Sequence, residues 1–168
     1  MHLKLAPTPE QHSALLETIH AYHEMGMPFT GSVIGHLSET DKAYLAGIID
    51  GEGCITIHRR TPKAKENPTY ALFVEIANTS PALKKWLDER FPDRTYYRQI
   101  TSAKSHHKQG YGWILSGNRQ VMVFLREIAP YLVIKREQAE LLAQGYVHLS
   151  EEERFALYSK LRELKKYA

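Results

Sequence analysis

Apolar and polar positions along the chain switch between a helical period and a period of two, and the switches mark its elements. Leu15, Leu16, Ile19 and Tyr22 recur at helical spacing after a Thr8-Pro9-Glu10 start signal. Gly26, Pro28, Gly31 and Gly35 then break the pattern. Residues 1–37 therefore read as an N-terminal helical appendage ending in a Gly/Pro-containing loop. A second helix opens at Ser38-Glu39-Thr40-Asp41, with Ser38 or Thr40 as its cap, and runs to Asp50. Period two takes over at 54–60, where Ile55 and Ile57 share one face and Thr56, His58 and Arg60 share the other. It resumes at 70–77, with Leu72, Val74 and Ile76 opposite Glu75. The two runs, joined by a Pro/Lys loop, read as a hairpin.

The same order then recurs. Ser80-Pro81 starts a helix carrying Leu83, Trp86 and Leu87. A third strand is expected at 95–101, followed by a basic loop and a fourth strand at 111–116 with Tyr111, Trp113 and Leu115 on one face. Three helices follow. The first carries Val121, Phe124, Leu125 and Ile128, and the second starts near Lys135 with Ala139, Leu142 and Ala143. The third is capped by Ser150 and carries Phe155, Leu157, Leu161 and Leu164. Two αββ units with trailing helices predict an α+β domain over 38–168, an antiparallel sheet covered by helices on one face. The repeat of the unit predicts an approximate twofold within that domain.

Composition narrows the function. The 168 residues are 43% hydrophobic and 24% charged, a globular balance. No apolar run approaches the ~18–20 residues needed to cross a bilayer, so no membrane partner is expected. No secretory h-region is visible, and an intracellular location is expected: cytoplasm, nucleoid or an organelle. Cys54 is the single cysteine, which excludes an intrachain disulfide and a cysteine-based zinc site. The net charge of +3 hides an asymmetry, with a balance of −4 over 1–50 and +7 over 51–168. The basic body suits an anionic partner such as nucleic acid.

The second helix ends at Gly51-Glu52-Gly53. Two glycines around one acid place a carboxylate where the backbone turns sharply. On these residues alone, Glu52 is either a functional acid or a solvated one at a small-residue helix end within one domain. The nine residues Leu45-Ala46-Gly47-Ile48-Ile49-Asp50-Gly51-Glu52-Gly53 resemble the signature of the LAGLIDADG homing endonucleases in their small residues, apolar pair, two acids and final glycine. The resemblance extends over about 40–145 and implies that family's αββαββα fold. One motif implies the single-motif type, a homodimer that makes double-strand cuts in a long pseudo-palindromic DNA site by metal-dependent phosphodiester hydrolysis. It also implies an intron-encoded mobile element.

The motif's chemistry agrees with its physics. Small residues let two helices approach closely. Ala46 and Gly47 leave such a bare surface, and Leu45, Ala46, Gly47 and Asp50 are the expected dimer interface; by resemblance, Asp50 caps or orients backbone at the helix ends. Two copies about a twofold would bring Glu52 of each chain to one point, where carboxylates repel unless a cation lies between them. By resemblance Glu52 is a metal ligand and catalytic, and the Gly51 carbonyl is a second ligand. Mg²⁺ is the expected ion, with Mn²⁺ or Ca²⁺ able to substitute. The resemblance also implies catalytic positions for Lys135, in Ala129-Pro130-Tyr131-Leu132-Val133-Ile134-Lys135, and for Asn78, after the second strand.

An antiparallel ribbon can enter the major groove and present alternate side chains to base edges. Residues 54–116 carry a charge balance of +6. The expected DNA-reading residues are Thr56, His58 and Arg60 on the first strand, Glu75 on the second, Tyr96 and Arg98 on the third, and Gly112 and Ile114 on the fourth. Lys63, Lys65, Lys104 and Lys108, in the loops, are expected to meet phosphates. The rival reading is a non-cleaving relative, an RNA splicing maturase or a DNA-binding regulator, with RNA as partner in the first case. The presence of Glu52 favours the enzyme.

Overall fold

The computed structural model describes residues 31–61, 68–92, 94–98, 109–144, 146 and 149–166, with the backbone alone for 95–98. The chain separates into two compact units, Met1–Ser32 and Val33–Ala168. The helix expected around 8–22 lies outside the described residues. Residues 33–37, read from the sequence as part of the appendage, cluster with the larger unit. Ile34 and Leu37 are buried in its core, and the Glu127 carboxylate accepts the N–H groups of Val33 and Ile34 at 3.0 and 3.2 Å.

Within the larger unit the elements follow in the expected order. Helix α1 spans Glu39–Glu52 and is capped by the Ser38 hydroxyl, which accepts the Asp41 N–H. Strands β1 (Gly53–Arg60) and β2 (Thr69–Asn78) form the first hairpin. Helix α2 (Pro81–Arg90) precedes strands β3 (Thr95–Arg98) and β4 (Gly110–Ser116). Helix α3 (Asn118–Ile128), a 3-10 turn (Ala129–Tyr131), α4 (Arg136–Ala143) and α5 (Glu151–Leu164) complete the chain.

The four strands pair antiparallel in the order β1-β2-β4-β3. That order is unchanged when the first hairpin is exchanged for the second, so the sheet has the approximate twofold that the repeated αββ unit predicts.

Alternation decides which sheet face is buried. Ile55 and Ile57 on β1, Leu72, Val74 and Ile76 on β2, and Trp113 and Leu115 on β4 are 3% exposed or less. Onto this face α1 lays Leu45, Ala46 and Ile49, and α3 lays Val121, Phe124, Leu125 and Ile128. The Trp113 ring packs against Phe91 and Phe124, with centroids 5.3 and 5.9 Å away. Each large apolar side chain buried this way contributes about 1.5–3 kcal/mol. Phe155, assigned to the apolar face of the last helix, is 52% exposed, whereas Leu161 on the same helix is buried.

Gly53 joins α1 to β1 with no intervening residue. A Cβ there would stand 2.7 Å from the Ile49 Cα, so only glycine allows the strand to leave so close to the helix. This fixes the end of α1 against the edge of the sheet. Among the described residues no helix is long and apolar enough to cross a membrane.

Candidate functional site

The C-terminal end of α1 collects the acids and the base of the site. Glu52 is the last residue of the helix and is exposed, with Gly51 exposed beside it. The carbonyls of a helix's last turn lack partners within the helix and carry its negative dipole end. Two carbonyls at this end accept from one side chain: the Lys135 ammonium donates to the Ile49 carbonyl at 3.0 Å, which also accepts the Gly53 N–H, and to the Asp50 carbonyl. Lys135 thus holds a cation against a negative helix end, at the residues just before Glu52.

The chain segment that carries Lys135 is held by Asp50. Its carboxylate accepts the backbone N–H groups of Val133 at 2.7 Å, Ile134 at 3.1 Å and Lys135 at 2.9 Å. Burial acts to raise the Asp50 pKa, but these three donors and the Lys135 charge outweigh it, and the carboxyl stays below its ordinary range. Arg136 closes the same turn from the other side, donating to the carbonyls of Leu132 at 2.8 Å and Pro130 at 3.0 Å. At the opposite end of α1, Glu39 accepts from the Tyr131 hydroxyl and from Lys42. The segment 131–135 is therefore fastened to α1 at both ends.

Asn78 lies at the same end of the sheet, two residues past Ile76, the partner of Gly53. It lies in phase with Val74 and Ile76 on the core-facing side of β2, and its Oδ1 accepts the Ser80 N–H at 2.7 Å. It shapes the start of α2. That bond engages only the side-chain oxygen of Asn78.

The expected dimer interface needs correction. Leu45 and Ala46 are fully buried in the protomer's own core and offer nothing to a second chain. The face of α1 turned outward carries Ala43, Tyr44, Gly47 and Gly51. A Cβ placed on Gly47 or Gly51 meets nothing within 4 Å. Tyr44 is 51% exposed, and its ring meets Trp86 edge-on at 4.9 Å.

The outer face of the sheet brings most of the proposed reading residues together. Register sets Thr56 beside Phe73, Cys54 beside Glu75, and Glu75 beside Ile114. Thr56, His58, Glu75 and Ile114 are partly accessible, and Arg60 is exposed. Tyr96 and Arg98 pair with Gly112 and Gly110, in phase with that face. Gly112 is buried, which removes it from the accessible set. Lys63, Lys65, Lys104 and Lys108 lie outside the described residues.

Two members of this face were missed. Phe73 stacks on the His58 ring at 4.2 Å, and His58 Nε2 lies 3.7 Å from the Glu75 carboxylate. The alternation of β2 opposite Leu72 and Val74 is the signal that locates Phe73. Cys54 is exposed on the same face, where its Sγ accepts from the Lys165 ammonium at 3.3 Å. Nothing in the sequence links two residues so far apart.

The donor set at the α1 end consists of hard oxygens, the Glu52 carboxylate and last-turn carbonyls, which suit Mg²⁺ or a similar divalent ion. Among the described residues no group of three or more His, Cys, Asp or Glu converges in one chain.

No protein-family model matches the chain, and no curated protein sequence matches it. Solved structures do. The homing endonuclease I-CvuI, in complex with the I-CreI target in the presence of Mg with the DNA not cleaved, superposes with a TM-score of 0.60. It is 19% identical, over 75% of this chain and 82% of that one. The archaeal intron-encoded homing endonuclease I-Vdi141I, complexed with DNA, gives 0.58 at 14% identity, over 75% and 84%. The LAGLIDADG homing endonuclease I-LtrWI, bound to target DNA, gives 0.52 at 23% identity, over 79% of this chain and 45% of that one. The fold is that of the LAGLIDADG homing endonucleases.

Proposed function

We propose that the chain is a single-motif LAGLIDADG homing endonuclease: a Mg²⁺-dependent, site-specific DNA endonuclease that cuts both strands as a homodimer. The observation that carries the reading is the Lys135 ammonium bound to the last-turn carbonyls of α1 beside the exposed Glu52. A fold shared with DNA-bound homing endonucleases supports it.

Dimerisation rests on an economy of α1. An exposed glycine inside a helix costs about 1 kcal/mol relative to alanine. Gly47 has open space where a Cβ would stand, so nothing within the protomer requires glycine there. A second α1 packed closely along Ala43, Gly47 and Gly51 supplies the requirement. About a twofold, the same contact carries the two Glu52 carboxylates toward one point.

The residues then divide the work. Glu52 of each chain and the Gly51 carbonyl would hold the ion. Bound Mg²⁺ would lower the pKa of water and offset charge on the leaving oxygen. Lys135 keeps a fixed positive charge where negative charge grows on the phosphodiester. Asp50 positions Lys135 through its backbone. The outer face of the sheet lies along the major groove, with Thr56, His58, Arg60, Glu75 and Ile114 toward base edges. Tyr96 and Arg98, whose backbone pairs in phase with that face, extend the same row.

The test is plasmid cleavage with Mg²⁺ on a library of randomised sites, comparing the wild type with Glu52→Gln. Discrete double-strand cuts by the wild type, with binding but no cuts by the variant, are expected. Tight binding without cuts by either protein overturns the cleavage assignment in favour of a regulator or, with RNA bound, a maturase.

A further inference from the structure

Helix α5 flanks the open edge of the sheet. Among the described residues strand β1 pairs on one side only. The Tyr158 ring of α5 lies 6.1 Å from the ring of Tyr70, the residue paired with Arg59 near the far end of β1. Lys165, just past the C-terminus of α5, contacts Cys54 at the near end. These two contacts set the helix antiparallel to β1.

Its charge is divided along its length. The first turn carries Glu151, Glu152 and Glu153. The last stretch carries Lys160, Arg162, Lys165 and Lys166 against Glu163 alone. That basic end is the one brought to Cys54, two residues from Glu52, on the outward phase of β1 that also bears Thr56, His58 and Arg60. This polarity complements the helix dipole, and it also leaves the basic end beside the outer face, where the Lys165 ammonium is placed against Cys54.

We infer that the basic end of α5 is a phosphate-contacting extension of the DNA face, in which Lys165 and Lys166 hold the backbone of the duplex next to the Glu52 end of the sheet. The inference rests on the proposed DNA-cleaving function. Lys165 is a positioning residue here: it sets where the strand lies, and Cys54 sets where Lys165 lies.

Cys54, the only thiol of the chain, reports on this directly. The experiment measures the alkylation rate of Cys54 in the full-length protein with and without mixed-sequence duplex DNA. It also measures the salt dependence of binding to that DNA for the wild type, Lys165→Gln/Lys166→Gln and Lys165→Arg/Lys166→Arg. DNA is expected to slow alkylation several-fold. The Gln pair is expected to flatten the plot of log K against log salt by about 2, one per lost phosphate contact, and the Arg pair to keep the wild-type slope.

Unchanged alkylation, or an unchanged slope for the Gln pair, overturns the inference while wild-type binding and cutting leave the endonuclease reading intact. Shielding and a salt slope seen with RNA and not with duplex DNA overturn both. Failure of the wild type to bind any duplex overturns the function itself.

Discussion

Asp50 and Lys135 clasp each other in both directions. The Asp50 carboxylate accepts the Lys135 backbone N–H at 2.9 Å, and the Lys135 ammonium returns a hydrogen bond to the Asp50 carbonyl. One pair of residues, 85 positions apart, thus fixes both the backbone and the charged tip of the lysine at the end of α1. The carboxylate of the motif's first acid is engaged in this clasp, while the second acid, Glu52, is left exposed.

Lys135→Met removes the charge and leaves the backbone clasp. Cleavage is expected to fall about 10²-fold or more, the scale of losing one preorganised electrostatic contact. Stability is expected to fall by only about 0.3–1 kcal/mol, the worth of a cation at a helix C-terminus. Single-turnover cleavage beside thermal unfolding separates the two. Equal, severe loss of folding would show the lysine to be structural.

Asp50→Asn acts on the fold. The carboxyl is ionised below its ordinary pKa in the folded protein, so its stabilisation is present above the unfolded value of about 3.9 and is lost as pH falls through the folded value. The wild type is expected to lose stability on acidification below about pH 4. In Asp50→Asn that part of the acid limb is expected to be absent and the neutral-pH stability lower by about 2 kcal/mol. Urea unfolding as a function of pH reads both.

Gly47→Ala separates the protomer from the dimer. The added methyl finds open space in one chain, and helix propensity favours it by about 1 kcal/mol. The protomer is expected to gain stability while self-association weakens. Gly47→Leu is expected to abolish the dimer. Sedimentation of both variants decides, and a dimer that persists in Gly47→Leu excludes this face of α1 as the interface.

Tyr146 carries a buried hydroxyl with no hydrogen-bond partner among the described residues. Burial pushes its pKa up to about 12. Tyr146→Phe is expected to be neutral or stabilising by about 1 kcal/mol, because an unsatisfied polar group is removed. The wild type keeps the proton in the folded state after the unfolded chain begins to lose it near pH 10. It is therefore expected to lose stability as pH rises from about 10 to 12, a limb the Phe variant lacks.

Local pattern and chain order were enough to determine the elements and the face each buries. Period two placed Leu72, Val74 and Ile76 inward and Glu75 outward, and helical spacing placed Val121, Phe124, Leu125 and Ile128 inward, because the pleat and the turn fix where neighbours in sequence point. The nine-residue signature located Glu52 and the helix end that presents it. Tertiary structure alone decided what those residues meet. Ala46 looked like bare helix surface, but α1 is rotated so that Ala46 faces the core and Gly47 faces out. The Asp50–Lys135 clasp and the Lys165–Cys54 contact join residues 85 and 111 positions apart. Sequence periodicity describes an element about its own axis. Such pairings depend on how one element is set against another, which is fixed only when the core packs.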